Sequence, residues 1–266
     1  MFAVRLSAVL AAFSLALLIV QPATADAGAN MVTPSDNAST SAVAVSFEPD
    51  AEAEAGESGA QAAEEAPARW TPEPGIEIRF NVLRKGNPFG THIVRFGEDE
   101  RGRLTATTDV DLKAGLGPIT LFRYTLDATE TYSEDGTLIA LDGQVYDDGN
   151  RGRVSASRVE NGLEVEGTQF SGTVDLGILP SSHWNVDQTR QTELLSTEDG
   201  EILQVDVREL GRETLQINGT PVEATHYLMD SEIDVELWYD DTGRWVQLAF
   251  EARGQDILYT LDALYD

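Results

Sequence analysis

The chain has 266 residues, no cysteine and a formal net charge of −28, from 46 acidic and 18 basic residues. Without cysteine it has no disulfide bonds, no cysteine–zinc site and no thiol nucleophile. The negative field repels phosphate backbones and anionic lipid headgroups, which disfavours nucleic-acid binding and adsorption to membrane surfaces. A cationic partner is compatible with this charge, and solubility alone also accounts for it.

Residues 1–25 are typical of a secretory signal peptide. Arg5 precedes an apolar run, Ala8–Val20, and the small-residue pattern Ala23-Thr24-Ala25 follows. The apolar run is shorter than the roughly 20 residues that a bilayer-spanning helix needs. We expect cleavage after Ala25 and a periplasmic location, with release outside the cell as the alternative. We expect no stable membrane anchor, because an acylated anchor requires a cysteine.

Residues 26–69 have the composition of a disordered acidic linker. Ala51–Arg69 consists mainly of Ala, Glu, Gly and Ser, and residues 26–69 contain nine acids against one arginine. Such a segment cannot bury enough apolar surface to offset the entropy of ordering it. We therefore expect a spacer without a fixed fold.

Residues 70–266 predict an all-β domain. Ile76–Val82 alternates strictly between apolar and polar residues, and Leu121–Tyr132 repeats the pattern. Turn sequences such as Asn218-Gly219 separate the segments. Roughly a dozen strands spaced by about 8–12 residues favour a strongly curved antiparallel meander sheet or a half-open β-barrel with one short helical or loop insertion.

The predicted insertion begins in Ile178–Asn185, with the sequence ILPSSHWN, between about eight strands and about six. Pro180 has no N–H to donate, so we expect it to end the preceding strand. Ser181 or Ser182 then caps a short helix or structured loop that continues to about Leu195.

Several stretches carry a resemblance to a known family. Asp147–Asn150, Ser182–Asn185 and Leu237–Val246 are similar to segments of an exported proteobacterial family, domain of unknown function 6134, and the similarity covers Ile76–Leu261. No activity is attached to that family, so the resemblance implies no catalytic residue. A distant architectural likeness to the half-open barrels of bacterial lipoprotein-localisation carriers implies an apolar concave face with a plug or lid over it.

A small set of residues is predicted to line a ligand site. Four lie in the irregular stretch, three are large aromatics near one end of a predicted hairpin, and one is an arginine among apolar neighbours. They are Ser182, His183, Trp184, Asn185, Trp238, Tyr239, Trp245 and Arg123. The alternatives are that the aromatics pack in the core and that the arginine forms a structural ion pair. We expect Trp184 to pack over the mouth or inner face of the sheet.

Catalysis and metal binding have little support in the sequence. His183 would act as a general base beside Ser181 or Ser182, but the chain has no G-x-S-x-G motif to present a serine nucleophile. His92, His183 and His226 lack the spacing of metal ligands. We therefore expect no catalytic residue, no metal and no cofactor.

These patterns favour a noncatalytic protein that binds an apolar small molecule, an envelope component or a polypeptide on the concave face of a curved sheet. One alternative is a hydrolase that uses His183 on an envelope or storage polymer. The other is a structural or interaction module without a small ligand. A deep apolar cavity beneath Trp184 favours binding, a hydroxyl and a carboxylate within reach of His183 favour catalysis, and a filled interior favours the module.

Overall fold

The computed structural model describes residues 69–116, 119–252 and 254–265. The predicted signal peptide (residues 1–25) and the predicted linker (residues 26–69), apart from its last residue, lie outside the described residues. The described residues form sixteen β-strands and one 3-10 helix, and they contain no α-helix.

The first eight strands precede an insertion formed by residues 175–205, and the last five strands follow it. In chain order they are β1 (Glu77–Arg84), β2 (Asn87–Glu98), β3 (Leu104–Leu116), β4 (Ile119–Tyr132), β5 (Leu138–Asp147), β6 (Asn150–Val159), β7 (Gly162–Gly167) and β8 (Ser171–Val174). The insertion contains β9 (Leu179–Pro180), the 3-10 helix (Val186–Arg190), β10 (Glu193–Leu195) and β11 (Ile202–Gln204). After it come β12 (Asp206–Ile217), β13 (Thr220–Asp230), β14 (Val235–Asp240), β15 (Trp245–Ala252) and β16 (Gln255–Leu261).

Two antiparallel meanders join into one curved 13-stranded sheet. The sheet order is β12-β13-β14-β15-β16-β1-β2-β3-β4-β5-β6-β7-β8. The two meanders meet where β16 pairs with β1, with Phe80 opposite Leu261. Strands β8 and β12 remain as edges, so the sheet is not closed into a barrel. The predicted all-β curved antiparallel meander is confirmed, with five rather than about six strands of the large sheet after the insertion.

Strand β4 shows how sequence alternation defines the two faces. Every second residue from Phe122 to Tyr132 is buried, and the residues between them are exposed or half-buried. Because successive side chains of a strand point to opposite faces, one face carries the core and the other faces solvent. Glu130 is the charged exception on the inner face, where it is fully buried.

The predicted hairpin turns adopt the backbone that their sequences favour. Asn218 and Gly219 both have positive φ, 49° and 79°, as the tight turn between antiparallel strands requires. Strand β13 therefore folds directly back on β12, with Ile217 opposite Thr220.

Residues 175–205, here called the insertion, pack against the inner face of the sheet. They contain a three-stranded sheet in the order β11-β10-β9, in which β9 is parallel to β10. A β-carbon at Gly143 would lie 2.1 Å from the carbonyl oxygen of Thr197, and one at Gly152 would lie 2.8 Å from that of Glu198. Glycine at these positions lets the main chain of the insertion approach the sheet closely.

Two details of the insertion differ from the sequence prediction. Strand β8 ends at Val174, and Pro180 is the last residue of β9. Because β9 is an edge strand, its proline removes no hydrogen bond from the small sheet. Asn185 rather than a serine caps the 3-10 helix: its Oδ1 accepts a hydrogen bond from the backbone N–H of Asp187 at 3.0 Å. Ser181 instead accepts from the backbone N–H of Thr197 at 3.2 Å.

Candidate functional site

A cavity lies between the inner face of the sheet and the insertion. The space open to the centres of water-sized molecules is about 90 Å³, whereas one water needs roughly 10–15 Å³ by that measure. Apolar walls come from β3, β4, β14 and β15, and include Leu112, Phe122, Leu126, Leu248 and Phe250. Polar groups enter from β2, β4, β16 and the insertion.

Glu198 is the buried carboxyl group of this cavity. The residue is 4% exposed. Tyr124 Oη donates a hydrogen bond to Oε1 at 2.7 Å, while Oε2 has no hydrogen-bond partner among the residues that the structure describes. Burial raises the pKa of Glu198 to about 8; the bond from Tyr124 lowers it, and the nearby carboxyl groups of Asp199 and Asp147 raise it. Glu198 is therefore mainly a neutral carboxylic acid at pH 7.

The position of Glu198 depends on a tight turn at the end of β10. Ser196 Oγ donates to Asp199 Oδ1 at 2.7 Å and accepts from the backbone N–H of Glu198 at 3.2 Å. Gly200 follows with a φ of 82°, a conformation that glycine adopts without strain. Sequence reasoning missed Glu198, because Ser-Thr-Glu-Asp-Gly has the composition of an exposed turn.

A closed ring of hydrogen bonds fixes His183. Tyr239 Oη donates to the main-chain oxygen of His183 at 2.8 Å, so this hydroxyl must accept from the side-chain amide of Gln188. The amide oxygen of Gln188 then faces His183 Nδ1 at 3.0 Å. An amide oxygen only accepts, so Nδ1 carries the proton and Nε2 keeps its lone pair. Burial lowers the pKa of His183 to about 4, against the opposing effect of the bond to Gln188.

The backbone of His183 is strained. Its φ is 65°, a left-handed conformation that costs a non-glycine residue on the order of 1–3 kcal/mol and persists where the surroundings enforce it. The hydrogen-bonded ring with Gln188 and Tyr239 provides that enforcement. As a result, the imidazole of His183 is held at the cavity.

His92, on β2, is a second neutral imidazole at the cavity. It is 6% exposed, and within the described part of the chain its Nε2 has no hydrogen-bond partner. The rings of Trp245 and Tyr259 lie 5.3 and 5.7 Å from it, centroid to centroid. Burial, with a smaller contribution from the proximity of His183, lowers the pKa of His92 to about 3.

Of the predicted ligand-lining residues, His183 lines the cavity, whereas Trp184, Tyr239 and Trp245 are buried outside its lining. Trp184 is buried against the rings of Phe96 and Tyr132. Trp245 is fully buried, and its ring lies 5.9 Å from that of His183. Tyr239 closes the hydrogen-bonded ring described above.

Trp184 is anchored by Glu130, which sequence reasoning also missed. Trp184 Nε1 donates to Glu130 Oε2 at 3.0 Å, and Tyr132 Oη donates to the same oxygen at 2.5 Å. Its other oxygen, Oε1, has no hydrogen-bond partner among the described residues. Burial raises the pKa of Glu130, and the polar side chains of Tyr132, Trp184 and Ser182 oppose that shift. Trp184 thus attaches the insertion to β4.

The remaining predicted residues lie away from the cavity. Arg123 is exposed, because it falls on the solvent side of the β4 alternation. Trp238 stacks on His226 with ring centroids 4.1 Å apart and donates to Glu213 Oε2 at 3.2 Å. Asn185 caps the 3-10 helix.

In the described part of the chain, no group of three or more His, Asp or Glu side chains is arranged to hold a metal ion. A search of the same residues for a helix long and apolar enough to cross a membrane found none.

The fold and its cavity define the class: a β-barrel-like protein made from one open, curved sheet whose inner face is covered by an insertion. The chain belongs to the family described as Domain of unknown function (DUF6134), which matches residues 80–262 and confirms the resemblance seen in the sequence. The chain also resembles the crystal structure of a beta-barrel-like protein of domain of unknown function DUF1849 from Brucella abortus. The TM-score is 0.51 at 11% identity, covering 72% of this chain and 96% of that one. No curated protein matches the chain.

Proposed function

We propose that this protein is a noncatalytic binding protein of the periplasm that holds an apolar ligand between its curved sheet and its insertion. The observation that carries the proposal is the cavity itself, with apolar walls and a few buried polar groups facing inward. Ligand sites typically combine apolar linings with a small number of polar groups that set orientation.

Two polar groups of the cavity support ligand binding over a purely structural role. Glu198 Oε2 and His92 Nε2 are buried and lack a hydrogen-bond partner in the described residues. Each such group costs on the order of 1–3 kcal/mol when it is left unsatisfied. Unpaired buried atoms also occur away from the cavity, at Glu130 Oε1 for example, so the support for binding is that these two residues line the cavity, where a ligand or an ordered water can satisfy them.

The surroundings of His183 support binding over hydrolysis. Within the described residues its ring hydrogen-bonds to the amide of Gln188 and not to a serine or a carboxylate. A general base of the serine-hydrolase type needs a hydroxyl on one ring nitrogen and an orienting acid on the other. Ser181 Oγ is engaged instead with the backbone N–H of Thr197.

The proposed periplasmic location rests on the sequence alone, on the apolar run and the Ala23-Thr24-Ala25 pattern. The chemistry proposed for the ligand is that of an apolar small molecule or an envelope component, because a strongly negative chain repels nucleic acid and anionic surfaces. The mature protein is expected to begin near Asp26 and to be released by osmotic shock. Recovery of the full-length precursor in the membrane pellet would contradict this location.

The binding proposal is tested by native mass spectrometry of protein purified from a periplasmic fraction, together with titration of an apolar fluorescent probe. We expect a copurified apolar molecule, or saturable probe binding. Leu126→Trp fills the cavity and should abolish binding, whereas Asp127→Trp places the same ring on the outer face of β4 and should leave binding intact. Folded wild-type protein that carries no molecule and binds no probe would overturn the proposal.

A further inference from the structure

The ionisable side chains that line the cavity are mainly uncharged near pH 7. Among the described residues that line the cavity there is no lysine or arginine. The imidazoles of His92 and His183 are neutral, because burial holds their pKa values near 3 and 4. Tyr124 and Tyr259 keep their hydroxyl protons, since burial raises the pKa of each well above its ordinary value. An anionic head would therefore enter a site without a compensating cation.

Glu198 has a defined direction for its own proton. Oε1 already accepts the proton of Tyr124 at 2.7 Å, so the proton of the neutral acid belongs on Oε2. That oxygen is buried and has no hydrogen-bond partner in the described residues. Glu198 also lines the cavity. A protonated carboxyl group donates one hydrogen bond. A ligand that pairs with Glu198 must therefore provide the acceptor.

The size of the cavity limits what enters it. A cavity of about 150 Å³ holds benzene, so about 90 Å³ admits a small polar head and a short apolar segment. Leu112, Phe122 and Leu126 provide apolar contacts for that segment.

We infer that the ligand is an uncharged amphiphile whose ester or amide oxygen accepts a hydrogen bond from Oε2 of Glu198, while its alkyl part lies against the apolar wall. This inference rests on the proposed binding function and names its ligand class. Free fatty acids and cationic amines are excluded from the class: the first add an unpaired anion, and the second require Glu198 to ionise inside the apolar cavity.

The inference also implies a pH dependence of ligand affinity. Glu198 is faced by Tyr124 from β4, Asp147 from β5, Asp199 from its own turn and Tyr259 from β16. As the pH rises through about 8, Glu198 loses the proton that it donates and becomes an anion. Affinity for an ester should therefore fall above that pH.

The test compares methyl acetate, acetate and ethylamine by NMR titration of the full mature chain at pH 6.5, because these molecules fit the size of the cavity. We expect methyl acetate to bind at least tenfold more tightly than acetate or ethylamine. Repeating the ester titration at pH 9 should weaken binding at least fivefold. If acetate or ethylamine binds more tightly than the ester, the inference is wrong while the binding function stands. If none of the three binds and xenon, a small apolar probe, does not bind either, the proposed function itself fails.

Two variants assign the effect to Glu198. Glu198→Gln keeps an N–H donor, so ester affinity at pH 6.5 should stay within about threefold of wild type and lose its decline toward pH 9. Glu198→Leu removes the donor, so ester affinity should fall at least tenfold while xenon affinity is unchanged. Unchanged ester binding by Glu198→Leu would overturn the inference. If Glu198→Leu does not fold, the pH profile of Glu198→Gln decides, and a retained decline contradicts the role of Glu198.

Discussion

Two buried carboxyl groups mark two functionally different regions under the insertion. Glu130 lies where the insertion is attached to β4; Tyr132 and Trp184 donate to its Oε2, and its Oε1 has no hydrogen-bond partner among the described residues. Glu198 lies at the cavity; Tyr124 donates to its Oε1, and its Oε2 has no partner among the same residues. Burial raises the pKa of both groups.

The difference shows that burial and a raised pKa do not by themselves identify a binding group. The donors around Glu130 come from β4 and from the insertion, so that region holds two parts of the molecule together. Both acids keep one oxygen without a partner among the described residues, but of the two Glu198 lines a space large enough for a small group. Open space beside the unpaired oxygen, rather than the burial of the acid, separates a candidate site from an anchor.

The largest expected effect is in the anchored region. Trp184→Ala removes a buried ring packed against Phe96 and Tyr132 and takes one donor from Glu130. It should reduce the free energy of unfolding by about 3–5 kcal/mol, measured by denaturant titration. Trp184→Phe keeps an aromatic ring and should cost less, and so should His183→Ala. A thermally neutral Trp184→Ala protein would show that the insertion is not anchored here.

Truncation of the two acids compares the regions directly. Glu130→Ala leaves the buried donors of Tyr132 and Trp184 without an acceptor and should cost about 2–5 kcal/mol. Glu198→Ala leaves only Tyr124 without its acceptor and enlarges an existing cavity, so it should cost about 1–3 kcal/mol. Denaturant unfolding of both variants at pH 6.5 measures the difference. Equal losses would mean that Glu198 is as firmly embedded as Glu130, which contradicts the distinction between them.

The pH dependence of stability provides a smaller and more specific test. Between about pH 4.5 and 8 folded Glu198 keeps a proton that the unfolded chain has released. Its contribution to stability is therefore complete below about pH 4.5 and is lost as the pH rises through 8, at roughly 1.4 kcal/mol per pH unit. His92 and His183 act oppositely, because their lowered pKa values reduce stability as the pH falls below 6.5.

Thermal or denaturant unfolding of wild type and Glu198→Gln between pH 6.5 and 8 isolates the contribution of Glu198. The wild type should lose stability relative to the variant as the pH rises. Parallel curves for the two proteins would show that the carboxyl group of Glu198 is more solvated than its position implies.

The smallest expected effect is on the outer face. Arg123 is exposed on β4, so Arg123→Ala should change the free energy of unfolding by no more than about 0.5 kcal/mol and leave probe binding unaltered. The measurement uses the same denaturant and fluorescence assays. A clear loss of probe binding would mean that the outer face contributes to the ligand site, against the assignment of the cavity.

Strand alternation and turn chemistry made most of the fold predictable. The buried residues of β4 follow the apolar positions of Leu121–Tyr132, and Asn218-Gly219 forms the expected turn. The insertion was predicted in the right place because Ile178–Asn185 breaks the period of two. The start of its helix was wrong because Ser, Thr, Asp and Asn all cap helices, and composition alone does not choose among them.

By itself the sequence determined the strands, the turns, the position of the insertion and the family, because these depend on local residue patterns. Only the tertiary structure decided which acids are buried and what they contact. Tyr124 and Glu198 lie 74 residues apart, and Glu130 and Trp184 lie 54 apart. The pairing of β1 with β16 joins the two meanders into one sheet. Gly143 and Gly152 let the insertion approach that sheet closely, which buries these groups. Whether a carboxyl group is solvated or buried depends on such long-range packing, because desolvation is set by all the atoms around the group and not by its neighbours along the chain.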